Sequence, residues 1–217
     1  MRLSLLQPHI VRGDIEHNLQ VIQSLIARSR GDLLVLPEYA LTGSLVLDKG
    51  ADIRNWATQC AQAKDRVKIQ TGQILLINTL IEQNGRLYNC CEFLPGGERY
   101  FKLFPDDTEL SAGIQPGGEQ KVFERSGKRF KVLICYDLPH ITSISTDHLD
   151  FLLFIYHLTE ENLARVMGEI KVISRERSLP VLVSSLVSDK NNGFRSFICR
   201  DTVISLANQE GILEVNL

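Results

Sequence analysis

Leu33-Leu34-Val35-Leu36-Pro37-Glu38-Tyr39 is the stretch on which the reading of the chain turns. Four consecutive apolar residues with no polar alternation are the pattern of a short strand buried on both faces in the middle of a sheet. Proline then stops the strand, and a carboxylate follows at the rim, where α/β proteins commonly build their sites. Outward from it, strand-like and helix-like segments alternate to both ends. Leu3–Gln7 reads as an opening strand. Asp14–Arg30 reads as a helix, with Ile15, Leu19, Ile22 and Ile26 at helical spacing, Asp14 as its cap and Gly31 as its stop. A second helix is expected over Ala51–Val67. Ile74–Ile81 and Leu87–Phe93 flank Asn84-Gly85, a strong hairpin signal, and Val122–Glu124 and Phe130–Cys135 flank Ser126-Gly127 in the same way. Phe151–Tyr156 is a continuous apolar strand. Glu160–Ser178 is a helix with Leu163, Val166, Met167 and Ile170 on one face, and Pro180–Val187 is a further buried strand. Ser196–Ile204 and Gly211–Val215 are expected to form a closing hairpin. With no repeat, low-complexity run or linker, the expectation is one layered α/β domain over residues 1–217, with a mixed sheet.

Composition narrows the function classes. The 217 residues are 44% hydrophobic and 23% charged, with a net charge of −2, so a substantial core is available. No basic stripe or long like-charge run supports a nucleic-acid or membrane-surface partner. Polar residues interrupt every apolar run well short of the roughly 18 residues of a membrane span. Leu3–Leu6 is stopped by Gln7, Pro8 and His9, too early for a secretory signal, so the cytoplasm is the expected location. Five sparse cysteines (Cys60, Cys90, Cys91, Cys135, Cys199) are neither a disulfide framework nor a zinc signature, and most read as small core residues. His140, His148 and His157 lack metal-ligand spacing, and no metal is expected. Pro95-Gly96-Gly97 and Pro116-Gly117-Gly118 read as turns, since neither ends in the Gly-Lys-Ser/Thr of a phosphate loop.

Three polar residues break the core pattern. Glu38 follows the central strand. Lys102 sits in Tyr100-Phe101-Lys102-Leu103-Phe104-Pro105, where a buried ammonium needs a compensating partner. Cys135 ends Phe130–Cys135 and precedes Tyr136-Asp137-Leu138. Each has a plain alternative: a solvated loop glutamate, a lysine snorkelling to the surface, an uncharged core thiol. Together they supply a base, a cationic stabiliser and a nucleophile.

Leu36-Pro37-Glu38-Tyr39-Ala40-Leu41-Thr42-Gly43, Tyr100-Phe101-Lys102-Leu103-Phe104 and Leu133-Ile134-Cys135-Tyr136-Asp137 resemble, in order, the three signature blocks of the nitrilase superfamily of carbon–nitrogen hydrolases. The resemblance implies a four-layer α–β–β–α sandwich that assembles into homodimers or larger oligomers. It makes Glu38 the general base, Cys135 the nucleophile, and Lys102 the residue that favours the thiolate and holds the oxyanion. It implies an auxiliary role for Glu109 and an oxyanion contact from the Tyr136 backbone N–H. It also suggests a pocket near Tyr39, Tyr136, Tyr156 and His157. A small amide-like substrate follows, with amides favoured over nitriles, and neither metal nor organic cofactor is required. A non-catalytic binding protein of the same fold, or an acyltransferase using the same thioester, are the alternatives. Two departures bear on the substrate. Pro139-His140-Ile141-Thr142 replaces the usual Arg-aromatic-Pro-Glu, and Phe154-Ile155-Tyr156-His157-Leu158 stands where a proline and often a tryptophan occur.

Overall fold

The computed structural model describes residues 1–48, 50–188 and 195–217. The first half contains β1 (Arg2–Gln7), β2 (His9–Ile10), α1 (Ile15–Arg28), β3 (Leu33–Val35), α2 (Ile53–Asp65), β4 (Ile74–Gln83), β5 (Arg86–Leu94), β6 (Arg99–Phe101) and α3 (Asp107–Ser111). The second half contains β7 (Phe123–Arg125), β8 (Lys128–Ile134), a 3₁₀ segment (Cys135–Ser143), β9 (Phe151–Ile155) and α4 (Glu160–Glu176). It continues with β10 (Val181–Ser184), β11 (Val187–Ser188), β12 (Phe197–Cys199), β13 (Val203–Ser205) and β14 (Gly211–Asn216).

Two six-stranded mixed sheets result, ordered β14-β1-β3-β4-β5-β6 and β13-β12-β10-β9-β8-β7. Strands of the first sheet send alternate residues to opposite faces. Leu3, Leu5, Leu33, Val35 and Leu76 face the second sheet, while Leu6, Leu34, Leu36, Leu75 and Ile77 pack under α1 and α2. The inter-sheet core includes an aromatic cluster, with Phe93, Phe123 and Phe130 in mutual ring contact and Phe151 stacked on Phe130. On the far side, Val166, Ile170 and Ile173 of α4 join the same core cluster as β9, β10 and β12. This is the four-layer α–β–β–α arrangement.

Local chemistry explains the element ends. Asp14 caps α1 by accepting from His17 N at 3.0 Å, and the helix stops at Ser29, two residues before Gly31. The β4–β5 hairpin turns on Asn84 and Gly85, whose φ values of 52° and 73° suit the twist of a two-residue hairpin. Ser126 and Gly127, at 50° and 72°, do the same between β7 and β8. The Pro180–Val187 run divides into β10 and β11, and β11 leaves the large sheet to pair with β2.

The expected closing hairpin is corrected by the structure. β12 turns back on β13, but β14 crosses to the other sheet and pairs antiparallel with β1, Leu3 opposite Val215 and Leu5 opposite Leu213. Gln7 stabilises the crossing: its Nε2 donates to the carbonyls of Ala207 and Gln209, and its Oε1 accepts from Ser196 N. β14 covers a β1 backbone that would otherwise have one unpaired edge. Among the described residues, no helix is long and apolar enough to cross a membrane.

Candidate active site

Glu38 follows β3, Lys102 follows β6, Cys135 follows β8 and Tyr156 follows β9. Each sits at the carboxyl end of its strand, as ligand-handling groups do in open α/β sheets. Glu38 and Lys102 come from one sheet, Cys135 and Tyr156 from the other. The structure brings Glu38, Lys102, Glu109 and Cys135 into one cluster. Glu38, Lys102 and Glu109 are almost wholly buried, and Cys135 is half-buried.

Lys102 Nζ lies 3.2 Å from Glu38 Oε1 and 2.7 Å from Glu109 Oε2, so the buried ammonium has two carboxylate partners. Snorkelling is thereby excluded. Glu109 is not a surface loop residue either. It is the third residue of α3 in a capping box, accepting from Asp106 N at 3.0 Å while Asp106 accepts from Glu109 N at 2.9 Å. Tyr39 donates its hydroxyl proton to Glu109 Oε1 at 2.6 Å. Tyr39 thus belongs to the polar network around Glu109.

The two carboxylates are driven apart. Burial pushes Glu38 above the usual carboxylate range, and the charge of Glu109 adds to this against the pull of Lys102. Burial also raises Glu109, but the Lys102 charge and donors from Lys102, Tyr39 and Asn89 outweigh it and hold this group below its ordinary value. Lys102 stays charged: burial opposes its proton, yet Glu38, Cys135 and Glu109 together carry it well above the ordinary lysine range. Burial pushes the Cys135 thiol well up, and Glu38 and Glu109 add to this, with a hydrogen bond to Glu38. Lys102 does pull toward the thiolate, but it is outweighed. The surroundings of the sulfur thus favour the thiol over the thiolate.

Cys135 adopts φ 41°, a left-handed conformation that costs a non-glycine residue about 1–2 kcal/mol. Asp137 holds it there. Its carboxylate accepts from Ile134 N at 2.8 Å, Leu103 N at 3.1 Å, Phe104 N at 3.0 Å and the Tyr100 hydroxyl at 2.7 Å. One buried side chain therefore ties the lysine segment to the cysteine segment. Sequence reasoning missed it, as it missed Asn78 and Asn89, although two asparagines within apolar strand runs were the available signal.

Tyr136 is second in the 3₁₀ segment, where a backbone N–H has no preceding turn to accept it; its side chain is 44% exposed. His140, in the departing loop, stacks on Phe104 at 4.0 Å between ring centroids. Tyr156 is buried near Cys135 and Glu38, with Arg165 beside its hydroxyl. His157 shares a short hydrogen bond with the Ser44 hydroxyl, and burial and the Arg12 charge lower it to about 4. Cys60, Cys90, Cys91 and Cys199 are buried free thiols. Among the described residues, no group of three or more His, Cys, Asp or Glu side chains is placed to hold a metal ion.

The profile of a family described as carbon-nitrogen hydrolase matches residues 2–165. No curated protein sequence matches the chain. Among solved structures, an amidase from Nesterenkonia sp. superposes with a TM-score of 0.82 at 18% identity, covering 100% of this chain and 90% of that one. XC1258 from Xanthomonas campestris, a CN-hydrolase superfamily protein with an arsenic adduct in its active site, gives 0.75 at 17% identity over 99% and 89%. Glutamine-dependent NAD+ synthetase from Acinetobacter baumannii gives 0.80 at 18% identity over 98% of this chain, which spans 44% of the synthetase. At these identities the likeness is one of fold.

Proposed function

Because the chain belongs to the carbon–nitrogen hydrolase family, we propose that it hydrolyses a small amide through a thioester on Cys135. The observation that carries this reading is the meeting of a half-buried thiol, a carboxylate of raised proton affinity and a doubly paired ammonium at the strand ends.

Glu38 takes the thiol proton as sulfur bonds to the amide carbon, and the C=O electron pair moves to oxygen. The oxyanion rests on Lys102 and the Tyr136 N–H; a single good donor of this kind is worth roughly 3–4 kcal/mol. The tetrahedral adduct collapses, the C–N bond breaks, and Glu38 returns its proton to the leaving amine. Water, deprotonated by Glu38, then attacks the thioester. The second collapse releases the acid, and the proton on Glu38 returns to the sulfur. Environments that push two carboxylates apart mark their roles: Glu38 as proton carrier, Glu109 as the permanent anion that keeps Lys102 charged and placed. Tyr156, near both Cys135 and Glu38, is assigned to the substrate pocket on this reading. No cofactor or metal enters this scheme.

In a glutamate-to-glutamine mutant of the Nesterenkonia amidase, acrylamide adds to the active-site cysteine. Mass spectrometry after incubation with acrylamide and a panel of small aliphatic and aromatic amides tests the present reading. It expects ammonia release and an adduct confined to Cys135, both lost in Cys135→Ala. An unmodified Cys135 and no ammonia across the panel would leave a non-catalytic binding protein. An acyl-enzyme discharged by amines but not by water would make it an acyltransferase.

A further inference from the structure

Two asparagines on neighbouring strands form a one-way hydrogen-bond relay behind the glutamates. Asn78 of β4 and Asn89 of β5 are wholly buried on the same sheet face, diagonally across the antiparallel pair. Asn78 Oδ1 accepts from Tyr39 N at 2.9 Å. Its Nδ2 donates to Asn89 Oδ1 at 2.7 Å and to Cys91 Sγ at 3.5 Å. Asn89 Nδ2 then lies 2.9 Å from Glu38 Oε1, 2.8 Å from Glu109 Oε1 and 3.0 Å from the Tyr39 hydroxyl oxygen. The direction is dictated by chemistry. A backbone N–H can only donate, so Asn78 must turn its oxygen to Tyr39 and its NH2 to Asn89. Asn89 must then turn its own NH2 to the carboxylates.

We propose that Asn89, oriented by Asn78, is a positioning residue that keeps Glu38 unprotonated and directed at the Cys135 thiol. The donors from Lys102 and Asn89 both fall on Glu38 Oε1, leaving Oε2 as the oxygen for the sulfur proton. The charged and titratable groups facing Glu38 are Lys102 after β6, Glu109 on α3, Tyr39, Cys91 on β5, Cys135 after β8 and Tyr156 after β9. Only Lys102 among them carries positive charge, so a lost amide donor has no ready substitute. The inference rests on Glu38 being the base.

The test reads the sulfur directly and needs no substrate: the rate of Cys135 alkylation by iodoacetamide as a function of pH, followed by mass spectrometry. In the wild type the rate should fall on the acid side as Glu38 takes a proton, and Glu38→Gln should abolish that limb. Asn89→Leu removes a donor that favours the carboxylate, so the limb should move up by about one pH unit. Asn78→Ala removes the donor that fixes Asn89 and adds no charge. It should free Asn89 to turn and shift the limb in the same direction, although residue 78 does not touch Glu38. Should Asn89→Leu fail to fold, Asn78→Ala decides alone. A limb that belongs to Glu38 yet stays in place in the folded variant overturns the relay. A limb that persists in Glu38→Gln overturns the base assignment, and the relay with it.

Discussion

Glu38 and Glu109 share one lysine, and the roles proposed for them predict different failures. Glu38→Gln should block acylation and deacylation alike, because glutamine cannot take a proton near neutral pH. Glu109→Gln should slow turnover about 10–1,000-fold and allow a trapped acyl-enzyme, since it removes only an anion that places Lys102. Mass spectra of both variants after incubation with a good substrate separate the cases. His157 makes a prediction about stability. Its buried imidazole takes a proton only near pH 4, against 6.5 for an ordinary histidine. A depressed folded value means that the stabilisation is complete above pH 6.5 and is lost as pH falls through the window to 4. The loss amounts to about 3 kcal/mol. Thermal melts between pH 7 and 4.5 should show a steeper decline for the wild type than for His157→Gln; parallel curves would refute the account. Glu38, Lys102 and Cys135 were legible in the sequence because each polar side chain interrupts an apolar run. Asp137 was not, because its partners are three backbone amides and a tyrosine hydroxyl that only the folded chain brings near; Asn89 interrupts a strand run as they do, but its carboxylate partners lie far along the chain.

At the scale of elements, Gly117 connects a turn to the chemistry. Its N–H donates to Lys102 O at 2.7 Å, and a Cβ placed on it would lie 2.5 Å from Phe101 O. Gly117→Ala must therefore displace the strand end that carries the lysine. The expectation is a loss of kcat of tenfold or more with a smaller change in melting temperature; kinetics and calorimetry on the same preparation check it. An unchanged kcat would show that the lysine tolerates the displacement. Strand and helix positions follow the sequence reading to within a few residues wherever a local signal exists: Asp14 at a helix start, Asn84-Gly85 in a turn, Val166 and Ile170 on a packed helical face. The last strand departs from it because nothing within Gly211–Asn216 encodes a partner. Its pairing with β1 depends on a register more than 200 residues away in the chain, and on Gln7 holding the crossing.

For the molecule as a whole, we propose that residues 1–217 act as one domain and that two such chains associate. Light scattering at micromolar concentration should return about twice the 24.5 kDa of one chain, and a value of one chain would count against it. The apolar faces on both sides of the central strands were legible in the sequence, but the four layers were implied only by the family resemblance, since a buried strand reads the same in either of two sheets.

The division of the strands between two sheets has a mechanical consequence. Glu38 and Lys102 ride on one sheet and Cys135 on the other, so under the proposed mechanism the gap the proton must cross depends on how far apart the two sheets stand at their carboxyl ends. Val35 near the end of β3 and Ile134 at the end of β8 belong to the core packed between them. On the proposed scheme, the thickness of that filling sets the proton's path, through side chains that exchange no proton themselves.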